Sequence, residues 1–94
     1  MSNKVHIEAL IKGVVQGVGY RWFATRTASK YNVSGYVANL PTGDVKAVIE
    51  GEQGMVNDFI DELKVGPPSA SVNDIIIDKG EYTGKYRGFG VEYA

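Results

Sequence analysis

The chain has 94 residues, of which 44% are hydrophobic, and a formal net charge of −1 at pH 7. This suits one compact domain over residues 1–94. Because the sequence has no cysteine and one histidine, it excludes disulfides, a cysteine nucleophile and a thiolate metal site. It shows no signal-peptide pattern and no apolar run near the roughly 20 residues that span a bilayer. We expect a cytoplasmic protein, monomeric by default, with no membrane or nucleic-acid partner.

The first predicted element is a strand. From position 5 to 11, apolar residues alternate with the others, namely Val5, Ile7, Ala9 and Ile11. A two-residue period is typical of a strand with one buried face. His6 falls in the opposite phase, so we expect it on the sheet surface, without a catalytic partner.

A glycine-rich stretch follows, with the sequence Gly13-Val14-Val15-Gln16-Gly17-Val18-Gly19-Tyr20-Arg21. Its glycines let the backbone turn sharply, and its N–H groups, placed at the start of a helix, suit an anion and above all a phosphate. The positive charge of Arg21 is unfavourable at the positive end of the helix dipole, and a bound anion would explain its position. A guanidinium also binds phosphoryl oxygens in a bidentate way. A plain turn with an exposed arginine is the alternative.

Two better-known phosphate loops do not fit this stretch. In the P-loop pattern, Val18 stands where the second glycine belongs, and no Lys-Ser or Lys-Thr pair follows. In the dinucleotide pattern that starts at Gly17, Trp22 occupies the third glycine position.

Residues 21 to about 31 form the first predicted helix. Its inward stripe recurs at spacings of three and four, through Tyr20, Ala24, Thr27, Ala28 and Tyr31. Asn32 is the predicted stop. We expect Trp22 and Phe23 to pack at the helix start rather than to stack on bases.

Two strands follow, at 33–40 and 44–50, joined by a Pro-Thr-Gly turn into a hairpin. Asn39 precedes the turn and is either a turn-entry residue or a functional amide. After a break at 51–54, a second helix carries the stripe Val56, Phe59, Ile60 and Leu63 and ends at Gly66-Pro67-Pro68. Residues 72–79 form a strand, 80–88 a polar connection, and Phe89, Val91 and Tyr93 alternate as a terminal strand.

This order, βαββαβ with a short extra C-terminal strand, predicts an α+β ferredoxin-like two-layer sandwich. Its sheet is mostly antiparallel, and both helices lie on one face. The first two strands run parallel with the third between them, so their carboxyl ends meet at one edge of the sheet. We therefore expect Arg21 and Asn39 to reach one ligand.

Two segments together closely resemble the signatures of the acylphosphatase family. They are the stretch from Gly13 to Arg21 and the run Gly35-Tyr36-Val37-Ala38-Asn39, followed by Gly43-Asp44-Val45 and Gly51. The likeness covers nearly the whole chain. It departs at Tyr20, where phenylalanine is more usual, and at Ala38, where a longer polar residue is frequent.

The resemblance implies hydrolysis of the carboxyl–phosphate bond of an acyl phosphate, without a metal or organic cofactor. It implies that Arg21 binds the phosphoryl group with the loop amides of Gln16, Gly17, Val18, Gly19 and Tyr20. By the same likeness, Asn39 orients the attacking water. Inorganic phosphate is then both the product and an inhibitor.

The sequence also allows two other functions. The segment from Arg87 to Tyr93 resembles the RNP1 segment of RNA-recognition motifs, but that segment belongs on the third strand, with a helix and a strand still to follow. The same fold also allows a non-catalytic phosphate- or carbamoyl-phosphate-binding module, as in related domains of larger enzymes.

Overall fold

The computed structural model of the protein describes residues 3–93. Five strands and two helices follow one another along the chain: β1 (Lys4–Val14), α1 (Tyr20–Tyr31), β2 (Ser34–Asn39), β3 (Val45–Glu52), α2 (Gln53–Val65), β4 (Ser71–Gly80) and β5 (Phe89–Glu92). The predicted order of elements is confirmed, including the short terminal strand. Within residues 3–93, neither helix has the length and apolar character needed to cross a membrane.

The five strands form one sheet in the order β4-β1-β3-β2-β5. β3 pairs antiparallel with both β1 and β2, so those two strands run parallel to each other on either side of it. Their carboxyl ends, Val14 and Asn39, consequently lie at the same edge of the sheet, as the element order predicts. β5 adds to the outside of β2 as a parallel neighbour.

Both predicted helical stripes are confirmed. The buried residues of α1 are Tyr20, Ala24, Thr27 and Ala28, and those of α2 are Val56, Phe59, Ile60 and Leu63. Full burial of a side chain such as Phe59 stabilises the fold by about 1.5–3 kcal/mol. Packing against the sheet, rather than intrinsic propensity, therefore holds these short helices. Asn32 ends α1 in the left-handed conformation, with φ 53°, as predicted.

The predicted break at 51–54 is wrong. β3 continues to Glu52, and α2 begins at the next residue. The Glu52 carboxylate accepts a hydrogen bond from the Met55 backbone N–H at 3.0 Å, which caps the helix. A side-chain cap lets the chain pass from strand to helix without the loop that the glycines suggested.

The connection between β4 and β5 has to cross the sheet, because these strands lie at opposite edges, and its bonds to Glu50 place it on the face opposite to the helices. On that face it is held by Glu50, whose side chain is fully buried. The carboxylate accepts hydrogen bonds from the Thr83 N–H at 2.9 Å, the Thr83 hydroxyl at 2.9 Å and the Gly84 N–H at 3.0 Å. Glu50 thereby anchors the segment that leads into β5.

The expectation that His6 lies on the sheet surface is wrong. It points to the predicted face, but it is only 8% exposed, and its Nδ1 lies 2.6 Å from the Glu50 carboxylate. Burial tends to raise the pKa of Glu50, but hydrogen bonds from His6, Thr83 and Gly84 outweigh burial and lower it below the ordinary value. The alternation of a strand predicts the face of the sheet on which a side chain lies. Segments distant in the sequence decide whether that face is buried.

Candidate active site

The loop between β1 and α1 has the backbone of an anion site. Gly17 and Gly19 adopt φ angles of 73° and 76°, in the left-handed region that favours glycine. Gly19 precedes α1 without any side-chain cap, and the first helical turn contains no acid. No backbone N–H from Gln16 to Gly19 donates to a backbone carbonyl within residues 3–93. The loop and helix start therefore offer several free donors to an anion.

This loop opens onto a cavity of about 350 Å³. The cavity is lined from three directions: by Gly17 and Gly19 of the loop, by Arg21 on α1, and by Asn39 at the end of β2. Arg21 and Asn39 come together because β1 and β2 run parallel and end at the same edge of the sheet. The predicted juxtaposition of Arg21 and Asn39 is thus present in the structure.

Asn39 contributes a buried amide oxygen to the site. Its Oδ1 is the buried side-chain oxygen for which no hydrogen-bond partner is found within residues 3–93. Buried polar atoms are nearly always paired, so an unpaired oxygen on a residue that lines the cavity points to a partner that binds there. The turn after Asn39 is closed by backbone bonds, from Leu40 N–H to Asp44 O at 2.9 Å and from Gly43 N–H to Leu40 O at 3.1 Å. Turn closure therefore makes no use of this oxygen.

Arg21 supplies the positive charge of the cavity. Within residues 3–93 no carboxylate forms an ion pair with it. Its guanidinium lies 5.4 Å from the centre of the Tyr93 ring, and Tyr93 lines the same cavity. A cation–π contact of this kind leaves the N–H donors of the guanidinium available to an anion.

Three residues of the predicted loop use their side chains elsewhere. Val18 packs partly against the hydrophobic core. Tyr20 lines the cavity, but its ring is buried and its hydroxyl donates to the Leu63 carbonyl at 2.7 Å, while burial raises its pKa. The Gln16 amide donates to the carbonyls of Leu40 and Asp44 at 2.8 and 2.9 Å. Val18 and Gln16 therefore offer only their backbone N–H groups to an anion, as Gly17 and Gly19 do.

Sequence reasoning missed part of the cavity wall. The prediction that Trp22 and Phe23 pack at the helix start holds for Phe23, which packs against the core, whereas Trp22 is 65% exposed and lines the cavity. The Arg26 guanidinium lies 4.5 Å from the centre of the Trp22 ring, one turn further along α1. Position 22 falls outside the buried stripe of α1, and that periodicity would have placed it outward.

Tyr93 was also missed. β5 pairs with β2 in a register that places Val91 beside Val37 and Glu92 beside Ala38. Tyr93 and Asn39 directly follow the last pair of this register, and both line the cavity. The alternation of Phe89, Val91 and Tyr93 gives the correct face, but the neighbouring strand follows only from the sheet order.

Known proteins are similar to this chain in sequence and in fold. The family model described as Acylphosphatase matches residues 7–91. The acylphosphatase of Geotalea uraniireducens is 41% identical over 90 residues, which cover 96% of this chain and 99% of the relative. The crystal structure of acylphosphatase from Bacillus subtilis superposes with a TM-score of 0.91 at 29% identity, over 95% of this chain and 99% of that one.

A larger protein contains the same fold. The structure of full-length HypF in its phosphate- and nucleotide-bound form matches 98% of this chain with 12% of its own length, with a TM-score of 0.87 and 33% identity. The family match over most of the chain, supported by a relative of nearly equal length, decides the assignment. The chain belongs to the acylphosphatase family.

Proposed function

We propose that the protein is an acylphosphatase that hydrolyses the carboxyl–phosphate bond of acyl phosphates to a carboxylate and inorganic phosphate. One observation carries the proposal beyond family membership. Within residues 3–93, an arginine without an ion-pair partner and an asparagine whose buried amide oxygen has no hydrogen bond line one cavity beside the glycine loop. We take residues 1–94 as a single acylphosphatase-like domain.

In this proposal the phosphoryl group binds between the loop and Arg21. Backbone N–H groups of residues 16–20 donate to its oxygens, and the helix start adds its positive dipole end. The guanidinium of Arg21 binds two oxygens in a bidentate way. Phosphoryl transfer depends mainly on positioning and on charge stabilisation, and this arrangement supplies both.

Asn39 orients the attacking water. Its Oδ1 accepts a hydrogen bond from the water and so directs the oxygen lone pair toward phosphorus. Among residues 3–93 no histidine, aspartate or glutamate lines this cavity, and Glu92 lines the adjoining depression that Arg21 and Asn39 also border. A carboxylate is a good leaving group, so the reaction tolerates a weak nucleophile, and a phosphoryl oxygen of the substrate accepts the proton. The alkoxide of a phosphate monoester leaves poorly, so such esters should be far worse substrates.

An assay of the purified protein with acetyl phosphate and benzoyl phosphate tests this function. We expect hydrolysis to persist in excess EDTA, because the proposed site uses only protein donors. Inorganic phosphate should inhibit competitively, since it presents the oxygens that the loop and Arg21 bind. Activity that is lost in EDTA and restored by a divalent ion would contradict the proposal.

The likeness to part of HypF favours one second candidate, a phosphate- or carbamoyl-phosphate-binding module without turnover. The same assay separates the two, because such a module would bind phosphate in calorimetry yet leave acyl phosphates intact. We also propose a cytoplasmic monomer with no nucleic-acid or membrane partner. Cell fractionation and light scattering test the location and the monomeric state.

A further inference from the structure

Gln16 connects the loop to the turn that follows Asn39. It lies in the loop after β1, and its Nε2 donates to the Leu40 carbonyl at 2.8 Å and to the Asp44 carbonyl at 2.9 Å. The primary amide has two hydrogens on this nitrogen, and both are used. A single side chain thus links the loop to two carbonyls that lie 24 and 28 residues after Gln16 in the sequence.

Both acceptors already belong to the turn. Leu40 and Asp44 are joined by a backbone hydrogen bond, and Gly43 donates to the Leu40 carbonyl. The Gln16 amide occupies a further lone pair on each carbonyl, so it binds the closed turn as one unit. Leu40 directly follows Asn39. Any shift of the turn relative to the loop therefore moves Asn39 relative to the anion site.

We infer that Gln16 is a positioning residue, whose side chain sets the distance between the Asn39 amide and the phosphate loop. The inference rests on the proposed function, since it concerns the water that Asn39 orients. A direct role for the Gln16 side chain on the phosphate does not fit the geometry, because both of its N–H donors are bound to carbonyls and it does not line the cavity.

A second side chain contacts the same turn but does not bind its backbone carbonyls. Lys12, near the end of β1, forms an ion pair with the Asp44 carboxylate at 3.1 Å, and the Thr42 hydroxyl donates to the same carboxylate at 2.9 Å. These contacts hold the Asp44 side chain and lower its pKa, first of all through Lys12. They touch neither carbonyl that Gln16 binds. Lys12 therefore supplies a matched control.

The test compares Gln16→Met, which keeps the length and loses both hydrogen bonds, with Lys12→Met. For Gln16→Met we expect kcat to fall about 10-fold to 100-fold, because small misplacements of a reacting group have effects of this size. The phosphate inhibition constant should stay nearly unchanged. For Lys12→Met we expect nearly unchanged kcat and phosphate inhibition. Unchanged kcat in Gln16→Met, or a loss of phosphate binding as large as the loss of kcat, would overturn the inference.

A double-mutant cycle shows whether Gln16 acts through Asn39. In the Asn39→Ala background, Gln16→Met should lower kcat much less than it does alone, because the amide that it positions has been removed. Effects that multiply in full would mean that Gln16 acts independently of Asn39, and would overturn the inference. Thermal melts of each variant show whether it is folded under the assay conditions.

A readout without turnover keeps this inference separable from the proposed function. The side-chain NH₂ resonances of Asn39 can be followed by ¹⁵N–¹H NMR in the phosphate-bound protein. Gln16→Met should shift them and speed their exchange with water, whereas Lys12→Met should not. A wild-type protein inactive on acyl phosphates would contradict the proposed function, and the Asn39 resonances would still decide the inference. Unshifted resonances in Gln16→Met would overturn it even in an active enzyme.

Discussion

His6 and Glu50 face each other across β1 and β3, with the His6 Nδ1 2.6 Å from a Glu50 carboxylate oxygen. On the other side of the ring, the Nε2 lies 3.3 Å from the Glu8 carboxylate. Glu50 also accepts the hydrogen bonds from Thr83 and Gly84 that hold the connection between β4 and β5. This buried network lies on the face of the sheet opposite to the helices. It holds the connection that leads into β5, the strand whose Val91 lines the cavity.

The first prediction concerns the charge of Glu50. Glu50→Gln should destabilise the protein at pH 7 by about 1–3 kcal/mol, because one carboxylate oxygen becomes an NH₂ group that cannot accept the buried hydrogen bonds from Thr83 and Gly84. The folded pKa of Glu50 is lowered, so its contribution is complete above the unfolded pKa of about 4.3 and is lost as the pH falls through the folded pKa. Urea unfolding of both proteins from pH 7 to pH 2 should show the difference shrink in acid.

Glu81→Gln is the control for this change, because Glu81 lies exposed in the same connection. Its effect should stay within about 0.5 kcal/mol at every pH. A Glu50→Gln difference that did not change with pH would show that shape, and not charge, stabilises the network.

The second prediction concerns Gly35 in β2. Its φ is 133°, and a β carbon there would lie 1.8 Å from the Val48 carbonyl oxygen of β3. Gly35→Ala should force the two strands apart and cost about 4 kcal/mol or more. Gly43→Ala is the matched comparison, since Gly43 has φ 95° with nothing within 4 Å, so only the backbone cost of roughly 1–2 kcal/mol applies. Equal losses in chemical unfolding would rule out crowding as the cause at Gly35.

The third prediction concerns Arg21. Arg21→Gln should leave the fold intact and lower kcat by about 10³ or more, by analogy with other phosphoryl-transfer arginines. Arg21→Lys should restore little, because an ammonium does not reproduce the bidentate geometry. Both variants should also bind phosphate more weakly. Arg26→Gln, five residues further along α1, should have a far smaller effect, and near-normal turnover in a folded Arg21→Gln protein would refute the assignment.

The fourth prediction separates water orientation from turn formation at Asn39. Asn39→Ala should lower kcat by roughly 10² to 10³ while phosphate inhibition changes little. If Asn39 were only a turn residue, the variant would keep its activity and lose about 1 kcal/mol of stability. Thr42→Ala provides the comparison, because Thr42 supports the same turn through Asp44. It should lower the melting temperature and spare kcat.

Local sequence patterns determined the elements of this fold. These patterns depend on residues that are close in the sequence. They are the spacing of three and four in α1 and α2, the alternation in β1 and the left-handed stop at Asn32. The element order then gave the parallel course of β1 and β2. For this reason Arg21 and Asn39 could be assigned to one site from the sequence.

Tertiary structure alone decided what lies beside those elements. Gln16 binds carbonyls 24 and 28 residues away, and Glu50 holds an N–H 33 residues away, so no local pattern reveals either bond. The buried partner of His6, Glu50, lies 44 residues away, and Tyr93 comes to the cavity of Asn39 through the pairing of β5 with β2. Periodicity specifies which way a side chain points. Its contact partner is set by long-range packing, because the free energy of packing depends on residues from several segments of the chain.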